Sequence, residues 1–379
     1  METVPLTGLE ELDEHLDELV ENPNIDLNDK LFDHVELQLT DANIPPLIPR
    51  FLPRLTTVLQ QYQQDPAILA SLSIKLLQPV SFTQILSLAS EDSLIQALRS
   101  PAPSANILAM TVIEKASRTP ADAAILSNMP LLVSDFVRRW LASPHVEVGQ
   151  KGGIVLGNLL DIDCELPPPP PPSSSSDMSQ AIVLRKSPGQ GKLWRRIFSD
   201  RDIYRLILDI CSGRHPDTAA DERQLTLAQG RLLRILPRLA ALSFHAVTRS
   251  DIPSPVPSHL TNGARAAYEE NQRQRTADSL LHFAALRMVD RRDRLMHLSL
   301  VDFFEGFVSL MRPGLTEYSP YKVETVRALL REATTQDAEL RAALLSLPDR
   351  IVPEEAEELR RWLREVLPGE AVRVGGGHE

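Results

Sequence analysis

The amino-acid sequence predicts an all-α protein built as an α-solenoid of stacked helical hairpins. Apolar residues recur every three or four positions in segment after segment, which places them on one face of a helix. These segments are roughly ten to fifteen residues long, the usual range of globular helices, and short proline-marked turns separate them. Pairs of such segments recur roughly every forty residues, as in solenoid proteins. No alternating pattern of convincing length indicates a strand.

The clearest hairpin lies between Leu131 and Asp161. Its first half, LLVSDFVRRWL, places Val133, Phe136 and Trp140 on one helical face. Ser143–Pro144 ends this helix, because proline has no N–H group and biases the residue before it away from helical geometry. The second half, HVEVGQKGGIVLGNLLDI, repeats the apolar spacing. Its glycines are poor helix formers and fit positions where another helix approaches closely. The pair resembles a HEAT or armadillo repeat, which favours a scaffold that binds another protein.

The residues before this hairpin follow the same pattern. The first predicted helix, Gly8–Glu21, has leucines on one face and mostly acids on the other. The periodicity predicts these further helices: Asn28–Leu39, Phe51–Tyr62, two or three between Pro66 and Ser100, Ile107–Lys115 and Ala121–Ser127. We therefore expect residues 1–164 to form N-terminal helical repeats with an acidic first helix.

The chain changes character after Leu166. Six prolines, Pro167–Pro172, and four serines, Ser173–Ser176, form a low-complexity tract, which has no apolar area to bury. We interpret residues 165–190 as a disordered loop between helices. A short proline-rich tract can also recruit SH3 or WW domains, although a tolerated insertion is the simpler interpretation.

Helical patterns resume after this loop, and residues 191–370 are predicted to form the C-terminal repeats of the same solenoid. Within LWRRIFSDRDIYRLILDICS, Asp200 stands where an N-cap is expected. The predicted helix Gln224–Leu242 contains Pro237, which should kink or split it. Further helices are predicted over Ala264–Met288, Leu295–Met311, Val323–Glu332, Asp337–Leu347 and Pro353–Val366. Residues 371–379 are predicted to be a flexible tail.

Composition narrows the functional classes. The chain has 379 residues, with 51 acidic and 40 basic side chains and a net charge of −11. Residues 1–40 contain twelve acids and one base, Lys30, so this segment accounts for the whole excess. A chain without a strongly basic surface is poorly suited to phosphate backbones, and no nucleic acid is expected as a partner. Cys164 and Cys211 lack the spacing of a zinc site or a disulfide framework.

The start of the chain, METVPLTGLEELDEHLDEL, lacks the basic-then-apolar layout of a signal peptide. No uncharged apolar run reaches the roughly eighteen residues that a transmembrane helix needs. We therefore expect a soluble cytoplasmic protein, with the nucleus as a second compartment. Neither a membrane nor a small-molecule substrate is expected as a partner.

No sequence motif indicates catalysis. The segment SPGQGK, Ser187–Lys192, ends like a P-loop, but Lys186 stands where the first glycine belongs and Leu193 replaces the Ser or Thr that holds magnesium. His282 and His297 lie in amphipathic helices without cysteines or carboxylates at ligand spacing, and we interpret both as packed or surface histidines. The sequence therefore predicts a protein that is not an enzyme, with no catalytic residue, cofactor or metal site.

Five arginines are the predicted partner-binding residues. Arg231, Arg234 and Arg238 fall at helical spacing and form one basic stripe if their helix is continuous. Arg138 and Arg139 lie opposite the apolar stripe of LLVSDFVRRWL. One interpretation of these positions is a solvated outer face. The other is a groove that receives an acidic protein surface, since the guanidinium fork binds carboxylates well.

Beyond the repeat pattern, the sequence resembles one family. The resemblance rests on the acidic start with NIDLNDKLFDHV, on SPHVEVGQKGGIVLGNLL and on LWRRIFSDRDIYRLILDICS. The family is that of the proteasome base-assembly chaperones of the 26S proteasome non-ATPase regulatory subunit 5 type, whose fungal members are labelled DNA mismatch repair proteins. The resemblance implies an α-solenoid that holds the C-terminal domain of a proteasomal ATPase subunit and assists base assembly. The Pro/Ser tract departs from the family, which supplies no role for it.

Two other functions stay open on sequence alone. The fungal label allows a DNA mismatch-repair or nucleic-acid-associated factor, although the acidic charge argues against it. A generic HEAT-repeat scaffold for another assembly would show the same periodicity and the same helix lengths.

Deleting Pro167–Ser176 is expected to leave stability nearly unchanged. A solvated tract contributes little packing, and a shorter loop changes the entropy of loop closure only slightly. Thermal unfolding of the deletion variant beside the full chain measures this. A melting temperature lower by more than about 4 °C, or roughly 1 kcal/mol, would show that the tract is docked on the fold.

Overall fold

The structure, a computed structural model, describes residues 6–62, 64–165, 188–250, 252, 279–312 and 319–367. This described part contains α-helices and short 3-10 turns, and it contains no strand. The chain divides into two compact units, Met1–Ile207 and Leu208–Glu379. In each unit, helices pack side by side in layers. This arrangement confirms the predicted all-α, HEAT/armadillo-like solenoid fold class.

The first unit is a series of helical hairpins. Its helices are α1 Leu9–Glu21, α2 Asp29–Gln38, α3 Ile48–Gln61, α4 Ala67–Leu76, α5 Phe82–Leu86, α6 Glu91–Arg99, α7 Pro103–Glu114, α8 Pro120–Ser127, α9 Pro130–Ala142, α10 Val146–Ile162, α11 Lys192–Phe198 and α12 Arg201–Cys211, which contains the boundary between the units. The four main pairs are α1–α2, α3–α4, α6–α7 and α9–α10. Helices α4, α7 and α10 pack in succession in one layer, and α6 packs on α9 in the other. Neighbouring hairpins therefore share a continuous apolar core.

The hairpin of α9 and α10 forms as the sequence predicts. Trp140 is 1% exposed and Phe136 is 2% exposed, which confirms the predicted apolar face. A Cβ atom on Gly152 would lie 2.8 Å from the Cβ and Cδ1 atoms of Trp140, closer than real Cβ atoms approach. On Gly153 it would lie 3.6 Å from the Trp140 Nε1 atom, an ordinary contact. Gly152 is therefore the glycine that allows α10 to pack directly on the indole.

Ion pairs join successive hairpins of the first unit. On one side, Arg50 and Arg54 of α3 both donate to Asp13 of α1. Farther along, the Arg99 guanidinium binds both oxygens of Asp135, at 2.9 and 2.7 Å. These pairs are partly exposed, and such pairs typically contribute less than about 1 kcal/mol each. The apolar core therefore supplies most of the stability, and the ion pairs help to set the register of the hairpins.

Helix starts follow the capping signals in the sequence. The Asp200 Oδ1 atom accepts hydrogen bonds from the N–H groups of Asp202, at 3.0 Å, and Ile203, at 3.4 Å. This confirms Asp200 as the N-cap of α12. Ser81 caps α5 in a capping box with Gln84, whose side chain accepts from the Ser81 N–H group in return.

The second unit repeats the layered arrangement. Its remaining helices are α13 Pro216–Ala219, α14 Glu222–Leu242, α15 Phe244–Thr248, α16 Leu280–Leu286, α17 Arg294–Leu310, α18 Pro320–Thr334, α19 Ala338–Ser346 and α20 Pro353–Val366. Helices α14, α17 and α19 pack side by side in one layer, and α16, α18 and α20 pack in the other. Each long helix therefore buries one face and leaves the opposite face exposed.

Helix α14 is one helix of 21 residues, so the expectation that Pro237 splits it is wrong. Pro237 is buried, and its Cγ atom lies 3.9 Å from the position of a Cβ atom on Gly306 of α17. Packing against α17 offsets the hydrogen bond that proline cannot donate. The helix therefore continues through Pro237, and the arginines on both sides of it stay in helical register.

Some predictions fall on residues outside the described ranges. These are the disordered loop except for Glu165 and residues 188–190, the first part of the helix Ala264–Met288, and the tail 371–379. Helix α16 is the described end of that predicted helix. The domain limits 1–164, 165–190, 191–370 and 371–379 stay predictions.

Replacing Gly152 with alanine is expected to destabilise the protein by about 1–3 kcal/mol, because the added methyl group overpacks the contact with Trp140. Alanine favours a helix by about 1 kcal/mol over glycine. The measured loss of stability is therefore the cost of overpacking minus this gain. The matched control is Gly153→Ala, where the methyl group meets only an ordinary contact and stability should stay equal or rise. Denaturant midpoints of both variants test this. Equal shifts would contradict the close packing at Gly152.

Candidate functional site

The five predicted partner-binding arginines lie on two helices, one in each unit. Arg138 and Arg139 are on α9 in the first unit, where Arg138 is exposed and Arg139 is half-buried. The Arg139 Nε atom donates to the carbonyl oxygen of Leu98, near the end of α6. The Asn106 amide donates to the same carbonyl and to those of Ala97 and Ser100. Arg139 therefore helps to satisfy the C-terminal carbonyls of α6, a role that sequence reasoning missed.

The other three arginines form a stripe on α14. Arg234 and Arg238 are exposed and Arg231 is half-buried. Because α14 is continuous, residues three, four and seven positions apart share one face. From Arg223 to Leu242 the sequence has four arginines and no acidic residue. The structure therefore brings these three arginines together as one basic helix face.

The neighbouring helix α17 adds an apolar feature that the sequence analysis did not single out. Leu295 is 76% exposed and Leu298 is 42% exposed, and they stand three residues apart on α17. Their segment LMHLSL carries three leucines within six residues, and periodicity alone does not show which of them face outward. Exposed apolar side chains grouped beside charges are typical of protein-binding surfaces.

The segment that resembles a P-loop is occupied by the protein's own carboxylate. Asp163 is fully buried, and its Oδ2 atom accepts from the N–H groups of Leu193, at 2.6 Å, and Trp194, at 3.2 Å. Gly191 has a φ of +62°, and Gly189 leaves no room for a Cβ atom against the backbone of Asp163. Burial raises the pKa of Asp163, an effect that its hydrogen bonds to backbone N–H groups partly offset. These N–H groups hold a structural cap, which supports the rejection of a phosphate loop.

One further buried ionisable group, Lys115, also serves the fold, and a small cavity lies in the core. Burial, together with the charge of Arg118, lowers the pKa of Lys115 to about 8. The Lys115 Nζ atom donates to the carbonyl oxygen of Gln78 at 3.0 Å, and Arg118 donates to the same oxygen at 2.8 Å. An apolar cavity of about 10 Å³, lined by residues such as Phe136 and Leu159, has room for about one water molecule. Neither feature provides a place for a substrate.

His297 is packed, as predicted, and its partner comes from a distant part of the sequence. The His297 Nε2 atom lies 2.9 Å from the Asp337 Oδ2 atom, and Arg291 lies 3.3 Å from the same oxygen. The Asp337 Oδ1 atom caps α19 by accepting from the Leu340 N–H group at 2.9 Å. Burial would raise the pKa of Asp337, but its hydrogen bonds to Leu340 and His297 and the nearby charges hold it below the usual range.

These observations limit the chemistry of the described residues. They contain no group of three or more His, Cys, Asp or Glu side chains that could hold a metal ion. Within the same ranges, no helix is long and apolar enough to cross a membrane. The exposed helix faces are therefore the candidate surfaces for a partner.

Asp337→Asn is expected to destabilise the protein by about 1.5–3 kcal/mol near neutral pH, because a charged hydrogen-bond acceptor is lost while asparagine can still cap α19. The folded-state pKa of Asp337 lies below its unfolded value of about 3.9. Its stabilising contribution is therefore present above that pH and is lost as the pH falls through the folded-state pKa. The difference in unfolding free energy between the parent and the variant should therefore become smaller as the pH falls through this range.

The matched control is Asp293→Asn, which changes the N-cap of the neighbouring helix α17. It should stay close to the parent at neutral pH, since asparagine and aspartate cap helices about equally well. Urea unfolding at several pH values measures both variants. A gap for Asp337→Asn that is the same at pH 3 and pH 7 would contradict the assigned ion pairs.

Comparison with known proteins identifies the N-terminal part of the chain. Residues 8–135 match the family model described as DNA mismatch repair protein HSM3, N terminal domain. The match spans α1 to α8 and the start of α9, and it includes the NIDLNDKLFDHV segment that carried part of the resemblance. No curated protein matches the chain. Residues 8–135 are therefore similar to the N-terminal domain of the HSM3 family, in agreement with the resemblance found in the sequence.

Proposed function

We propose that this protein is a non-enzymatic assembly chaperone. It binds the C-terminal domain of a proteasomal ATPase subunit and assists assembly of the regulatory-particle base of the 26S proteasome. The observation that carries the proposal is the HSM3-family domain at residues 8–135, folded as a series of helical hairpins. Such hairpins bury one face of each helix and expose extended surfaces suited to holding another protein.

The mechanism is occlusion and orientation. A chaperone that covers one surface of an ATPase domain blocks premature contacts at that surface and holds the domain for its correct neighbours. Release follows when the mature assembly competes for the same surface, because binding to two partners at one site is mutually exclusive. The buried carboxylates Asp163 and Asp337 serve as helix caps, and the proposed mechanism uses surface complementarity with no chemical step.

The second candidate function is a role in DNA mismatch repair, which the description of the matching family favours. Proteins that bind DNA neutralise phosphates with a concentrated basic surface. This chain has a net charge of −11, and twelve acids lie within its first forty residues. The charge therefore favours a protein partner over a duplex.

A cytoplasmic location, with the nucleus as a second compartment, suits the proposed chaperone.

A tagged full-length chain expressed in cells is expected to enrich a proteasomal ATPase subunit. Mass spectrometry of the purified complexes is the measurement, and a tagged deletion of residues 8–135 is the control. The purified chain should then bind the recombinant C-terminal domain of the enriched subunit directly. Absence of every proteasomal ATPase subunit from the complexes would contradict the proposal.

A gel-shift assay with a mismatched DNA duplex tests the second candidate. We expect no complex at 150 mM salt, because an acidic chain gains little from counterion release. A shift that depends on the mismatch and weakens steeply with added salt would favour the mismatch-repair function instead.

A further inference from the structure

The α14 and α17 helices of the second unit run in the same direction. The Gln229 side chain of α14 donates to the carbonyl oxygen of Met288, shortly before α17 begins, at 2.9 Å. Farther along both helices, Pro237 approaches the Cβ position of Gly306 at 3.9 Å. The two contacts occur in the same order along both segments of the sequence, which shows that the helices are parallel. The exposed faces of these parallel neighbours can therefore be compared turn by turn.

The basic stripe and the exposed leucines lie on the same side of this helix pair. Each residue turns an α-helix by about 100°. Arg234 and Arg238 are therefore rotated by about 60° and 100° from the Pro237 contact in one sense. Leu298 is rotated by about 80° from the Gly306 contact in the opposite sense. In parallel neighbours, opposite rotations bring side chains to one common surface, which we name the α14–α17 face.

Gly230 leaves an open position on this face, which we name the notch. Gly230 stands seven residues before Pro237, and Ser299 stands seven residues before Gly306, so the two small residues lie opposite each other about two turns below that contact. No atom of the described structure lies within 4 Å of a Cβ atom built on Gly230, and the residue is half-buried. Glycine weakens a helix interior, and nothing in the described structure requires it here. The gap leaves room for the close approach of another chain.

The charges of the face indicate the chemistry of its occupant. Within the described ranges Arg234 forms no ion pair, and α14 has no acid from Arg223 to Leu242. Asp302 on α17 is exposed on the same side. The face is therefore basic along α14, and along α17 it combines exposed leucines with one acid. Arginines beside apolar side chains are typical of the centres of protein interfaces. A nucleic acid would gain nothing from Leu295 and Leu298 and would be repelled by Asp302.

We propose that the α14–α17 face docks an acidic helix of the partner protein. Carboxylates of that helix lie against Arg234 and Arg238, and its backbone or a small apolar side chain enters the notch at Gly230, beside Leu298. The inference rests on the proposed function for the identity of the partner, which is the C-terminal domain of a proteasomal ATPase subunit.

The first test is a double charge reversal, Arg234→Glu/Arg238→Glu, in the full-length chain. The matched control is Arg361→Glu/Arg364→Glu, which makes the same change of charge on exposed positions of α20. The probe is the recombinant ATPase C-terminal domain that wild type binds most tightly, measured by calorimetry. The α14 variant is expected to bind roughly tenfold more weakly or worse, and the control within about twofold of wild type.

The second test separates binding from folding. Gly230→Gln adds a side chain to open space in a helix, and glutamine is a better helix former than glycine. Its melting temperature should therefore equal or exceed that of wild type, whereas its affinity for the ATPase domain should fall roughly tenfold, because the notch is filled. Unchanged affinity for Gly230→Gln would overturn the notch as a docking point.

The outcomes distinguish the inference from the proposed function. If wild type binds an ATPase domain and both α14 variants bind it equally well, the proposed function stands, and the assignment of the α14–α17 face as the docking surface is wrong. If wild type binds no ATPase domain, the proposed function fails and this partner assignment fails with it. Light scattering tests the remaining possible occupant of the face, which is a second copy of this chain. A wild-type dimer that the double reversal makes monomeric would show that the face binds the acidic first hairpin of a second copy, which overturns a separate partner.

Discussion

The packing of α10 against the indole of Trp140 is the contact on which the first unit depends. Trp140 heads the largest fully buried side chains, and it fits only because Gly152 brings no side chain to the same place. Helix α9 packs on α6 and α10 packs on α7, so this hairpin joins both layers of the unit. On its other side, the Trp194 indole donates to the Leu160 carbonyl at 2.9 Å and ties α11 to α10. A change in the spacing at Gly152 is therefore transmitted to the helices on both sides.

Buried polar groups in this protein complete helix ends. Asp163, directly after the end of α10, caps the start of α11. Asp337 caps α19 and also binds His297. Asn106 satisfies the last carbonyls of α6. Short helices have many unsatisfied terminal groups for their length, so a fold made of short helices needs many such caps. This requirement explains why groups with shifted pKa values, which often mark active sites, serve packing in this protein.

The proposed function draws on features of both units. The segment that matches the HSM3 family model lies in the first unit, and the α14–α17 face lies in the second. The acids concentrated in the first forty residues and the arginines of α14 give the two units exposed surfaces of opposite charge. Extended surfaces of this kind suit a chaperone that recognises one domain by complementarity, since charge patterns govern the selection of partners more than they govern affinity.

Local sequence patterns specify the faces of individual helices, whereas long-range packing specifies how those faces meet. Periodicity placed Trp140 in the core and aligned Arg234 with Arg238, and local chemistry made Asp200 a cap, because each depends on residues within a few positions. The pairing of His297 with Asp337, 40 residues away, could not be predicted, since no local pattern specifies which helices become neighbours. For the same reason the sequence predicted a kink or a split at Pro237, whereas α14 continues through it as one helix packed against α17. The open position at Gly230 could not be predicted either, because a helix pattern shows which residues face outward and leaves open what stands beside them.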